Sequence, residues 1–153
     1  ARHKGYPDTA HVRALLERAA IRLLHNASEV VDISGRKMRI VGLGDDWARE
    51  MDPASAFRTN RRGDLPTILL SHNPDTKSEL RHYPWNLMLC GHTHGGQCRI
   101  PFIGTPFAPV RDHRYVHGLH AWEDRWLHIT AGIGSLHGMR LNCRPEVSLL
   151  RLS

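Results

Sequence analysis

Three histidines follow two apolar segments of the chain and could together bind a metal ion. One apolar segment, TILL, ends two residues before His72, and a second, NLMLCG, ends directly before His92, with His94 two positions later. Neutral imidazole is the commonest metal ligand in proteins and suits Zn, Fe, Mn, Ni or Cu. Three histidines with an open fourth position are also the arrangement of catalytic zinc sites. The sequence therefore predicts His72, His92 and His94 as metal ligands.

Two predicted strands position these histidines. Residues 67–70 and 85–91 each predict a buried strand, and the segment between them predicts a helix that begins with Asn73 as its cap and ends near His82. Strands joined by one helix usually run parallel, so their carboxyl ends share the sheet edge where α/β proteins bind ligands. We therefore expect His72 and His92 to meet at that edge.

The segment His92-Thr93-His94 contributes two of the three imidazoles. In an extended backbone, residues i and i+2 project to the same side, and Gly91, Gly95 and Gly96 allow a tight loop around them. The alternative is structural: His72 would bond to backbone groups and the H-x-H segment would be a polar turn. The combination with a second strand-end histidine favours the metal site.

The remaining pattern predicts an α/β fold with one mixed sheet, in a single domain over residues 1–153. A helix is expected from an Asp8 cap to about residues 20–21, and a short helix from Pro53. Further strands are expected at residues 21–26, 29–33, 37–43, 98–100, 114–122, 125–131 and 146–152.

The composition is that of an ordinary soluble globular protein. The 153 residues are 41% hydrophobic and 24% charged, with a formal net charge of +6. The three cysteines lack the spacing of a metal finger and their odd number implies no disulfide framework. A basic chain favours anionic partners, but no helix-turn-helix or RNA-recognition signature occurs, so no specific nucleic acid is predicted.

Three stretches resemble a known family. The segments LLSHNPD and LMLCGHTHGGQ resemble the last two metal-binding blocks of the calcineurin-like metallophosphoesterases, and GIGSLHGMRLNCRPEV is similar to the bacterial YaeI/YkuE-type phosphodiesterases. The resemblance extends over essentially the whole chain. It implies half of a four-layer α/β/β/α sandwich, a mixed sheet with flanking helices, that hydrolyses phosphate esters with a hydroxide activated by two divalent metal ions. Mn, Fe, Zn or Ni would serve, with His72 and His92 on one ion and His94 on the other.

The other blocks of that family do not occur in the chain. Its D-x-H, G-D-x-x-D and G-N-H-[DE] motifs are missing, and Gly44-Asp45-Asp46 has the wrong spacing for the second. The bridging aspartate, the asparagine ligand and the general-acid histidine are therefore expected upstream, and no catalytic residue is assigned here. We expect an inactive fragment that binds one metal ion or none and needs the missing N-terminal half or self-association as partner.

Four residues are candidates for contact with a phosphate-ester substrate: Asn73, Arg140, Asn142 and His137. Asn73 is equally explained as a helix cap, and Arg140 as a surface or ion-pair residue. Residues 101–109, rich in proline and phenylalanine, are expected to border the substrate cleft.

Two functions from other classes remain open. The chain could be a non-catalytic histidine-based metal-binding module or, with weaker support, a basic nucleic-acid binder. The compartment is also open, either bacterial cytoplasm or cell envelope, because relatives often carry an N-terminal export or anchoring segment. A role at the membrane is left undecided for the same reason.

Overall fold

One six-stranded mixed sheet forms the framework of the computed structural model, which describes residues 9–59, 65–135 and 138–152. The helices are α1 (Ala10–Arg18) and α2 (Pro53–Ala56), and the strands are β1 (Ala27–Ile33), β2 (Arg36–Gly42), β3 (Thr67–Leu70), β4 (Leu87–Cys90), β5 (Gly118–Trp122) and β6 (Arg125–Ile129). The strand order is β1-β2-β3-β4-β6-β5. Strands β2, β3, β4 and β6 are parallel, while β1 and β5 are antiparallel edge strands. The predicted mixed α/β sheet is confirmed.

The connection between β3 and β4 differs from the predicted α-helix. It consists of two 3₁₀ helices, Pro74–Lys77 and Glu79–His82. The Asn73 side chain caps the first one by accepting from Asp75 N at 2.9 Å, as predicted. The Thr76 hydroxyl and N–H both bond to the Asn73 carbonyl, three residues earlier, and such i to i+3 bonds tighten the turn.

Three predicted strands are wrong. Residues 21–26 cross the end of β2 without pairing, because the left-handed Ala20 (φ 54°) redirects the chain and Asn26 Oδ1 accepts from Gly44 N at 2.8 Å. Residues 98–100 make only isolated bridges, and residues 146–152 form no strand. In that last segment Val147 and Leu149 are almost fully exposed, so its apolar alternation meets no partner among the described residues. The predicted Asp8 cap lies outside the described residues.

One face of the sheet is covered and the other is not. Val41, Leu69, Met88 and Leu127 are fully buried and belong to one core cluster with Leu80, Trp85, Phe57 and Tyr115. On the opposite face, Ile40, Ile68, Leu87 and Trp126 stand side by side in register, and all of them are partly exposed. Leu70 is 38% exposed and Trp126 is 51% exposed on this face. Parallel strands are normally covered on both faces, so the described residues leave one layer missing.

Helix α1 adds nothing to this core, whereas Ala56 of α2 belongs to it. The nine residues of α1 include no buried side chain, and Val12 and Leu15 remain exposed. Neither α1 nor any other helix in the described ranges has the length and apolarity that crossing a membrane requires.

Candidate metal centre

His72 and His92 lie beside each other at the carboxyl edge of the sheet. Their ring centroids are 5.1 Å apart, with the rings nearly perpendicular. The parallel pairing of β3 and β4 brings both chain segments to this edge, and Gly91 N continues the ladder by donating to His72 O at 3.1 Å. The expectation that two strand ends deliver their histidines to one place is confirmed.

The environment of His92 leaves one particular ring nitrogen for a metal. Its Nε2 lies 3.2 Å from Pro109 O, and a carbonyl oxygen can only accept, so Nε2 carries the proton and Nδ1 keeps the lone pair. Burial, and secondarily the neighbouring His72, lowers the pKa of His92 and favours the neutral, metal-binding imidazole. The Trp47 ring packs edge-on against His92 at 4.5 Å between centroids.

His94 presents the opposite ring nitrogen. Its Nδ1 lies 3.1 Å from Gly134 O, so the same reasoning puts the proton on Nδ1 and the lone pair on Nε2. The carbonyl-to-histidine bonds at His92 and His94 are the kind of outer interaction that fixes the tautomer of a metal-ligating imidazole.

The backbone that carries the two histidines is not extended, contrary to prediction. His92 (φ 67°) and His94 (φ 51°) are both left-handed, and Thr93 between them is in the right-handed helical region. Thr93 anchors this turn because its buried hydroxyl donates to Val116 O at 2.7 Å and accepts from Gly95 N at 3.2 Å. The backbone therefore lacks the extended geometry from which a common side for the two imidazoles was expected.

The three histidines form a pair and a single residue, not a cluster. Within residues 9–59, 65–135 and 138–152, no three His, Cys, Asp or Glu side chains lie close enough together to hold a metal ion. The imidazoles fit a divalent cation in their chemistry, since the carbonyl contacts of His92 and His94 leave one ring nitrogen of each with a lone pair. A complete metal shell would need further ligands beside these imidazoles.

Gly95 is required where the loop presses on the C-terminal segments. With φ +62°, a Cβ on Gly95 would lie 2.7 Å from Cys143 Sγ and 2.9 Å from Ala131 Cβ. At Gly96, the neighbouring position, a Cβ would lie only 2.3 Å from Thr105 Cγ2. The histidine loop is thus seated directly against residues from three other segments.

We expect Gly95→Ala to destabilise the protein more than Gly132→Ala. The two glycines share nearly the same φ, +62° and +60°, but a Cβ on Gly132 has no heavy atom within 4 Å. Both variants pay the left-handed strain of about 1–2 kcal/mol. Only Gly95→Ala adds an overlap that costs about 1–3 kcal/mol more. Urea unfolding of the two variants measures the difference, and equal losses would refute the contact argument.

The described candidates for substrate contact all hold backbone groups. Asn73 is 4% exposed and caps the first 3₁₀ helix. The Arg140 guanidinium donates to backbone carbonyls around His94, and Asn142 Nδ2 donates to Arg99 O at 3.1 Å. His137 lies outside the described residues. Contact of these four residues with a substrate stays a prediction.

Three contacts of the histidines were not predicted from the sequence: the Trp47 ring against His92, the backbone carbonyl of Pro109 at His92, and that of Gly134 at His94. A signal for Trp47 existed, because its loop follows β2, which is parallel to β3 and therefore ends at the same edge. In the loop expected to border the substrate cleft, Phe107 and Pro109 line a cavity of about 290 Å³ together with His94 and Met139; that this cavity takes a substrate stays a prediction.

Comparison with known proteins reveals several relatives. The chain is 51% identical over 137 residues to the phosphodiesterase YaeI of Escherichia coli, covering 90% of this chain and 49% of that protein. It is 34% identical over 149 residues to the UDP-2,3-diacylglucosamine pyrophosphatase LpxG of Chlamydia trachomatis, covering 92% of this chain and 44% of that protein. It is 30% identical over 153 residues to the metallophosphoesterase YkuE of Bacillus subtilis, covering 98% of this chain and 52% of that protein.

The chain spans about half the length of these curated relatives. No protein-family model and no solved structure matches it significantly. YaeI is named a phosphodiesterase and YkuE a metallophosphoesterase, and the mixed sheet agrees with the fold expected from the sequence resemblance. The chain is therefore a relative of the calcineurin-like metallophosphoesterases.

Proposed function

We propose that this chain is part of a longer metal-dependent phosphodiesterase and supplies His72, His92 and His94 as metal ligands. The observation that carries the proposal is the pair of imidazoles from two parallel strands, 5.1 Å apart at the carboxyl edge of the sheet. The similarity to a protein named phosphodiesterase, at 51% identity over 90% of this chain, supports the reaction class.

The chain's own residues would hold two cations from one side of the site. His72 and His92 would share one ion, with His92 binding through Nδ1, and His94 would bind the other through Nε2, as their carbonyl contacts require. Divalent cations at such a site supply a hydroxide nucleophile at neutral pH and stabilise charge on the phosphoryl oxygens. We propose that the remaining ligands, including carboxylates, and the general acid come from upstream sequence.

The uncovered sheet face supports an upstream partner layer. Ile68 and Leu87 are apolar, in register and only partly buried, next to the exposed Leu70. We propose that the N-terminal half of the longer protein covers this face and completes a four-layer sandwich. Self-association of the isolated chain is the alternative way to cover it.

The substrate is proposed only at the level of the chemistry that the relatives share. A phosphodiesterase and a UDP-2,3-diacylglucosamine pyrophosphatase both cleave a phosphorus–oxygen bond in a phosphate group with two substituents. We therefore propose a phosphate diester or pyrophosphate as the substrate class.

Activity of the longer protein and of the isolated chain tests this function. With bis(p-nitrophenyl) phosphate and Mn²⁺, we expect turnover by the longer protein, loss of turnover in EDTA, and recovery on adding Mn²⁺. The 153-residue chain alone should show none, because the remaining ligands of both ions are proposed to lie upstream of it. Turnover by the isolated chain would contradict the division of ligands, and metal binding without turnover by the longer protein would favour a non-catalytic module.

A further inference from the structure

We infer that Arg140 is a positioning residue that fixes the tautomer of His94 and thereby the affinity of the metal bound there. The inference rests on the proposed function only in taking His94 as a metal ligand. Its geometrical basis is a carbonyl that His94 and Arg140 share.

That carbonyl belongs to Gly134. His94 Nδ1 lies 3.1 Å from Gly134 O, and Arg140 Nε donates to the same oxygen at 3.2 Å, with Arg140 Nη2 also in contact. A carbonyl oxygen has two lone pairs, so it can accept from both side chains. The guanidinium thus holds the acceptor that decides which nitrogen of His94 carries the proton.

Arg140 also holds the backbone on both sides of this contact. Its Nη2 donates to Ala131 O at 2.8 Å and to Gly132 O at 3.0 Å, and its Nη1 donates to His94 O at 3.2 Å. The Cys143 thiol also contacts His94 O, at 3.2 Å, but it has no contact with the 131–134 loop among the hydrogen bonds of the described residues. Among the hydrogen bonds of the described residues, those of the planar guanidinium tie the histidine backbone to the loop that carries the acceptor.

Packing and backbone hydrogen bonds hold the start of this loop, at the buried Ala131 and at Gly132, whose carbonyl accepts from Glu146 N at 3.0 Å. They give little support to Ile133 and Gly134. Ile133 is 75% exposed, Gly134 is exposed, and Gly132 has a left-handed backbone with open space around it. Without the guanidinium, Gly134 O would lose its fixed position, and the neutral imidazole would populate both tautomers. In the wrong tautomer the lone pair lies on Nδ1, facing Gly134 instead of a metal.

Arg125 provides a matched control within the same chain. It is a buried arginine whose guanidinium likewise donates to two backbone carbonyls, Tyr83 O at 3.1 Å and Arg81 O at 2.8 Å. It stands at the first residue of β6, at the opposite end of the sheet from the histidines. Lysine at either position keeps the charge but places its three donors on one atom, so it cannot reproduce the spread of donors by which the guanidinium reaches carbonyls on different segments.

The test compares Arg140→Lys with Arg125→Lys in the longer protein. We expect both variants to lose thermal stability. Competition with a chelator should show one of the two Mn²⁺ ions bound about 10–100-fold more weakly in Arg140→Lys, and both bound normally in Arg125→Lys. Equal metal affinity in Arg140→Lys and the parent protein, or an equal loss in both variants, would overturn the inference.

Nitrogen-15 NMR of the histidine rings in metal-free protein gives a readout that does not depend on turnover. His94 should have its proton on Nδ1 in the parent protein and should populate both tautomers in Arg140→Lys, with Arg140→Gln as a second variant if the lysine variant does not fold. A proton on Nε2 of His94 in the parent protein would overturn the inference without any variant. Because this measurement needs no metal, its failure is distinguishable from an absence of phosphodiesterase activity.

Discussion

Replacing His92 with alanine in the longer protein is expected to lower phosphodiester turnover by about 10³-fold. The His92 ring lies beside that of His72. Its Nε2 donates to the Pro109 carbonyl, so its Nδ1 keeps a lone pair that can bind a metal. Weaker binding of a divalent ion removes several kcal/mol of charge stabilisation from the transition state. Each 1.36 kcal/mol corresponds to about a factor of ten in rate. The values of kcat/KM for an artificial diester, measured together with the metal content of the purified protein, check this expectation.

His120→Ala is the matched control for that experiment. His120 is another partly buried imidazole bonded to a carbonyl, with Nε2 at 2.8 Å from His117 O, and it packs against Tyr115 away from the strand ends. Its removal should change turnover by no more than about threefold, because it costs packing and one hydrogen bond in the fold but no metal ligand. A His92→Ala protein that keeps its metal content and its rate would show that His92 is not a ligand.

The positions of the histidines could be predicted because they follow from strand topology. Thr67–Leu70 and Leu87–Cys90 are continuous apolar runs, which is the pattern of parallel strands in a sheet interior. Their carboxyl ends must meet at one edge when a short connection joins them as neighbours. The convergence of His72 and His92 could therefore be predicted from the apolar composition of the two strands and from their order along the chain.

The finer geometry of the site could not be predicted because it depends on backbone atoms. The acceptors that set the tautomers belong to Pro109 and Gly134, which follow His92 and His94 by 17 and 40 residues. Every residue has a carbonyl oxygen, so residue type carries no signal for such a contact. The left-handed backbone of His92 and His94 is equally hidden, because histidine adopts this conformation in only a minority of cases and the surrounding contacts impose it here.

The wrong strand predictions have a related cause. Residues 21–26 and 146–152 have strand-like composition, but a strand exists only where another strand offers its backbone groups. Asn26 instead bonds to the loop after β2, and Glu146 N donates to Gly132 O at 3.0 Å outside the sheet. The alternation of apolar and polar residues therefore predicted strands wrongly in segments whose backbone groups bond to loops.

Placing lysine at Leu70 and Leu89 in the isolated chain is expected to prevent its self-association and its pairing with the upstream half. The two leucines are register partners on the uncovered face of β3 and β4. Burial of a leucine side chain contributes about 1.5–3 kcal/mol, and burial of an unpaired lysine in its place is strongly unfavourable. The parent chain should sediment as an oligomer at micromolar concentration, and the Leu70→Lys/Leu89→Lys chain as a monomer.

The control puts the same two charges on apolar side chains outside the sheet. Phe102 and Ile103 are more than two-thirds exposed and lie in the tight turn closed by the Ile100–Gly104 bridge. Phe102→Lys/Ile103→Lys should therefore leave self-association unchanged, because the uncovered face is intact. With the upstream half expressed separately, the parent chain should restore diester turnover and the Leu70→Lys/Leu89→Lys chain should not. If the face variant restored turnover as well as the parent chain did, the missing layer would have to pack elsewhere, and the four-layer arrangement would be wrong for this chain.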